Sequence, residues 1–204
     1  MPNWCENNVG IFTTVEYKKE LDDFYNKSTD EGGGFDLLNR HIPIPKPLLE
    51  HIAPNPDKAI ADEMVKLYGY PDWYSWAESN WGTKWNPDIN SVDYDQVEYD
   101  YLNGLHIHLN FDSAWSPPIA GLLNLSKLYP TLIFFIKYEE SGEGFAGFFE
   151  CMNGEVISEQ KTEMLWHDSF YGYYESLEKE DLDSYFVKYA GIVPPIGDGD
   201  DVSV

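Results

Sequence analysis

Basic side chains are scarce in this chain of 204 residues, where 13 Lys and Arg face 36 Asp and Glu and the only arginine is Arg40. Neutralising a phosphate backbone takes clustered Lys and Arg, so nonspecific nucleic-acid binding is disfavoured. Cysteine is equally sparse. Cys5 and Cys151 stand far apart with no C-x-x-C, which argues against a zinc site and a disulfide framework and suits a reduced, cytosolic setting. No apolar run reaches the length of a membrane span, and Met1 to Asn8 carries no basic and apolar leader, so a soluble protein that nothing anchors is expected. A nucleophile elbow, a P-loop, a dinucleotide fingerprint and H-E-x-x-H are all missing.

What the chain has in quantity is aromatic rings and negative charge. Its 7 Trp, 15 Tyr and 11 Phe supply core material, and 43% hydrophobic residues suffice for a genuine core. The net charge of −23 favours a partner with a basic surface, while acidity kept for solubility alone is the plainer reading.

The periodicities set out an α+β order. Asn7 to Thr13 reads as a strand, and Thr13 with Glu16 as a capping box opening a helix that runs to Lys27. Phe35 to Ile44 reads as extended, closed by Pro43, Pro45 and Pro47. Asn55 and Pro56 open a helix that Gly69 stops. Leu105, Ile107, Leu109 and Phe111 alternate with His106, His108 and Asn110 in the clearest strand of the sequence. Ser116 and Pro117 then start a helix, Leu132 to Tyr138 is a strand, and Asn153-Gly154 joins two more as a hairpin. The order describes a split β-α-β sandwich, an antiparallel sheet with helices on one face. One domain over residues 1–160 with an insertion at about 46–102 is expected, then an acidic, Tyr-rich extension over 161–204 with a helix at 177–189 and a disordered tail at 194–204.

Four stretches carry a resemblance. Met1-Pro2-Asn3-Trp4-Cys5 with Asn7, the loop Asn80 to Asn86, Ala114-Trp115-Ser116-Pro117-Pro118, and the acidic, glycine-rich turn Glu140 to Gly147 together resemble the YubB-type family of phages, plasmids and some bacteria. The likeness covers roughly residues 1 to 160 and implies a ferredoxin-like fold, a mobile-element origin and a bacterial host cytoplasm. It brings no catalytic residues with it. The chain departs from that pattern at Asn86, Ser113 and Ser141, where the family usually has Asp, Thr and Pro.

Three surfaces compete for a function. Trp4, Trp81, Trp85 and Trp115 occur in the matched stretches with Lys84, Ser116 and Glu140, and form either a structural fastening of the insertion or the pocket of a small-ligand or nucleotide-binding domain or an enzyme. Asp88, Asp93, Asp95, Glu98 and Asp100 lie in a stretch free of Lys and Arg from Trp85 to Ser126, and Glu139 and Glu143 add to the acidity. They suit a surface that engages a basic host protein, with nucleic-acid mimicry as the sharper version. His106, His108 and Asp112 share a strand face but lack a third ligand at diagnostic spacing, so no metal or other cofactor is expected. Stacking of single-stranded nucleic acid on the aromatics is the third reading, conditional on a contiguous basic strip around Lys18, Lys19 and Lys27. The leading expectation is a non-enzymatic binding protein of a mobile element.

Overall fold

The structure, a computed structural model, describes residues 3–54, 56–99 and 102–163. Strand β1 (Trp4–Thr14) leads through a single 3-10 turn into helix α1 (Lys18–Ser28). Short helices α2 (Lys46–Leu49), α3 (Lys58–Tyr68) and α4 (Trp73–Asn80) follow, then the hairpin β2 (Asp88–Tyr99) and β3 (Leu102–Ala114). Helix α5 (Ile119–Leu128), β4 (Ile133–Glu140), β5 (Phe145–Met152) and β6 (Glu155–Glu163) complete it.

The six strands are ordered β2-β3-β1-β4-β5-β6, all neighbours antiparallel. Within this sheet β1-α1-β2-β3-α5-β4 is the ferredoxin-like split motif, and β5-β6 extend its β4 edge as a meander. The helices lie on one face, α1 against β1 and β3, α5 against β4 and β5. Alternation buries Cys5, Val9 and Ile11 of β1, Leu105, Ile107, Leu109 and Phe111 of β3, and Phe134, Ile136 and Tyr138 of β4 beneath them.

Several expectations are corrected. The second strand of the motif is Asp88–Tyr99, from the end of the segment read as an insertion, whereas Phe35 to Ile44 contributes one bridge between Thr29 and Phe35. Pro43, Pro45 and Pro47 lack the N–H a ladder needs, and the chain there turns instead of pairing. Thr13 does not cap α1; its hydroxyl donates to Thr131 O at 3.1 Å, tying β1 to the start of β4. Asp57 caps α3 through Ala59 N, and Gly69 ends that helix at φ 80°, while Asn55 lies outside the described residues. Ser116 leaves α5 uncapped because its hydroxyl is engaged elsewhere. Asn153 and Gly154 turn the last hairpin with φ of 51° and 76°, the left-handed pair such a turn requires. Residues 161–163 belong to β6, and the helix expected at 177–189 and the tail at 194–204 lie outside the described residues.

Candidate functional site

One end of the sheet gathers most of the residues singled out by the sequence. Trp4 opens β1 opposite Ala114, and Trp115 follows with its N–H on Asn3 O at 2.9 Å. Trp85 precedes β2, its ring 6.2 Å from that of Trp4. These three indoles remain 51%, 40% and 44% exposed for Trp4, Trp85 and Trp115. Lys84 lies half-buried with Nζ 4.5 Å from the Trp85 ring centre and 5.6 Å from that of Tyr74, a cation held by aromatic faces.

Trp115 adopts φ 72°, a left-handed conformation that costs a bulky residue free energy and persists only where the surroundings impose it. Four hydrogen bonds do so. Besides the bond to Asn3, Ser113 Oγ donates to Ser116 O at 2.7 Å, Ser116 Oγ to Gly82 O at 2.6 Å, and Thr83 Oγ1 to Ala114 O at 3.0 Å. Beneath them Asn7, 5% exposed, sends Nδ2 to Cys5 O, Phe111 O and Ser113 Oγ at 2.7, 3.3 and 2.8 Å. Asn7→Ala orphans those buried acceptors, and we expect urea unfolding to register a loss of about 1–3 kcal/mol.

Two of the expected ligand residues do not join the exposed corner. Trp81 is buried in the core, edge-on to Trp76, with Nε1 donating to Ile42 O at 2.9 Å. Glu140 is buried too, but it accepts from the N–H groups of Gly142 and Glu143 in its own turn. Lys84 and Glu140 thus have separate partners. Asn86 accepts through Oδ1 from Leu38 N and Asn39 N, at 3.3 and 3.2 Å, so an amide oxygen suffices at that position. Burial, with the Glu140 carboxylate next in effect, pushes the Cys5 thiol up to about 12, and burial does the same to Cys151. Neither thiol forms the nucleophilic thiolate at neutral pH.

On the sheet face opposite the helices, cross-strand register lines up four carboxylates. Asp88 pairs with Asp112, Asp112 with Glu6, and Glu6 with Glu139, so that the row crosses β2, β3, β1 and β4 over roughly 14 Å. Asp88, Glu6 and Asp112 are exposed and Glu139 is half-buried. Asp93 and Asp95 lie opposite His108 and His106 on the edge strand β2, Glu98 falls out of phase with them, and Glu143 is exposed on the β4–β5 turn. Asp100 lies outside the described residues. Glu6 was not foreseen, because only the pairing shows that it stands between two other acids.

The histidines are occupied locally. His108 Nε2 is 2.9 Å from Asn8 Oδ1, His106 stacks on Phe12 at 6.0 Å, and Asp112 belongs to the carboxylate row. Among the described residues no three His, Cys, Asp or Glu side chains are grouped to hold a metal ion. Lys18 and Lys19 each pair with an acid one turn on, Asp22 and Asp23, both at 2.7 Å. They lie on α1, over the helix-covered face, and make no basic strip along the face opposite.

A family model described as the ferredoxin-like domain in Api92-like protein matches residues 80–181, half of the chain. The chain belongs to this Api92-like family. The match takes in β2 through β6 and hence both the Trp115 turn and three members of the carboxylate row, Asp88, Asp112 and Glu139. The crystal structure of a protein api92 from Yersinia pseudotuberculosis is similar over 81% of this chain and 99% of that one, at 10% identity and a TM-score of 0.43. No curated protein matches the Api92-like chain. Among its described residues no helix is long and apolar enough to cross a membrane.

Proposed function

We propose that this Api92-like domain is a non-enzymatic binding protein whose acidic sheet end engages a basic protein surface. The observation that carries the reading is the row Asp88, Asp112, Glu6 and Glu139. Like charges placed directly opposite one another destabilise a sheet, so the row lowers stability in the free protein and gains when cations lie across it. A net charge of −23 adds a long-range field that draws a basic partner in. The YubB-type resemblance adds a phage or other mobile element as the source and the cytoplasm of a bacterial host as the setting, and two free, buried cysteines suit that compartment. The partner is then a host protein whose basic surface is a nucleic-acid-binding groove, and such a row imitates the phosphate backbone that the groove receives. Inhibition of host defence or of nucleic-acid processing follows from occupying that groove.

The test neutralises the row with Asp88→Asn, Asp112→Asn, Glu6→Gln and Glu139→Gln together. Proteins captured from nuclease-treated bacterial lysate are compared with those held by an unrelated protein of equal net charge. We expect the native chain to retain a specific basic protein that salt releases, and the neutralised chain to bind it about tenfold more weakly while unfolding at higher urea. Unchanged capture by the neutralised chain sinks the reading.

A further inference from the structure

We infer that Trp4, Trp85 and Trp115 form an anchoring surface for arginine side chains of a protein partner, an assignment that rests on the acidic-engagement reading above and names the chemistry of its contact. Three independent observations converge. Large aromatics exposed to between 40% and 51% sit at a single sheet corner, which is where interfaces concentrate binding energy. Trp115 is held at φ 72° by its own N–H bond to Asn3 O and by hydrogen bonds from the hydroxyls of Ser113, Ser116 and Thr83, although a glycine at that position would carry no strain. A conformation maintained against its cost in order to place an indole at the surface points to a use for that indole. The protein already shows what the surface accepts, since Lys84 rests 4.5 Å from the Trp85 ring centre.

Charge decides the occupant. Trp4 and Glu6 are alternate residues of β1 on one face, roughly 6.8 Å apart along the strand. Asp112 is the cross-strand partner of Glu6. A guanidinium stacked on Trp4 thus has two carboxylates within reach of its planar fork, an arrangement that a lysine ammonium uses less well because it neither stacks flat nor pairs bidentately. A phosphate-bearing ligand would meet the same carboxylates as repulsion.

The experiment measures binding by calorimetry at low salt to nona-arginine, nona-lysine and a nine-nucleotide single-stranded DNA. The proteins are the native chain, the double variant Trp4→Ala with Trp115→Gly, and the neutralised carboxylate variant. Glycine accepts the left-handed backbone at 115, so the double variant keeps its fold, as its urea midpoint will record. We expect nona-arginine to bind about tenfold tighter than nona-lysine, and the double variant to lose that preference while still binding nona-lysine. If the double variant binds nona-arginine like the native chain and only the neutralised variant fails, the tryptophan anchor is wrong and the acidic reading stands. Nona-arginine binding that neither variant weakens removes both. DNA binding tighter than either peptide overturns the arginine assignment outright.

Discussion

Trp81→Ala is expected to lower the unfolding free energy by about 3–5 kcal/mol, a large part of what a domain of this size possesses. The indole is 2% exposed, packs edge-on to Trp76 at 5.5 Å between ring centres, and donates to Ile42 O. The residue's own carbonyl accepts from Gly121 N at 2.9 Å, so one residue joins α4, the chain near Ile42 and α5. Gly121 has no room for a Cβ, which would lie 2.7 Å from Leu38 Cδ2 and 3.2 Å from Trp81 O. Truncation therefore leaves a void among elements that cannot close on it, and it strips the half-buried Ile42 carbonyl of its donor. The comparison is Trp4→Ala, whose exposed ring predicts a change near 0.5 kcal/mol. Urea midpoints for the two variants within experimental error of each other would show that burial at Trp81 does not hold the helical segment to the sheet.

The contrast between these two tryptophans marks how far the sequence could be read. Both lie in short stretches rich in aromatic and polar residues, and composition groups them as one cluster. Only the fold separates a ring at the foot of α4, turned into the core, from a ring at the start of β1, turned to the surface. The sheet itself was more accessible, because β3 announces itself by alternation and Asn153-Gly154 by its turn chemistry. Strand β2 was not legible as the second strand of the motif. At the edge of the sheet it alternates Asp93 and Asp95 with Val92 and Tyr94, a weak pattern beside the segment Phe35 to Ile44, which prolines keep out of the ladder. Once β2 takes that place, the acids of four separate segments fall into a single row, and no periodicity within one segment could have revealed it.

His41 gives the second large effect. Its ring is 7% exposed and stacks on Phe24 at 4.9 Å, with Nε2 2.9 Å from Ser28 Oγ and Nδ1 2.8 Å from Tyr129 Oη. The Ser28 hydroxyl donates to Phe24 O, so it accepts from Nε2–H, and Nδ1 accepts from the tyrosine O–H. The neutral ring thus satisfies every partner. Burial, reinforced by the cations Lys27 and Arg40, pulls the imidazole down to about 4 from an ordinary value near 6.5. Between those two values the unfolded chain binds the proton and the folded chain does not. The contribution is therefore fully present above pH 6.5 and is lost as pH falls through about 4, with about 2 kcal/mol gone between pH 7.5 and pH 5. Protonating carboxylates over the same range relieves repulsion in a chain of net charge −23 and pushes the other way, so the native curve alone is not diagnostic. The diagnostic quantity is the native protein minus His41→Gln, each unfolded in urea at both pH values. That difference should shrink by about 2 kcal/mol on acidification, whereas a difference independent of pH would mean that the ring takes up its proton without leaving its place between Ser28 and Tyr129.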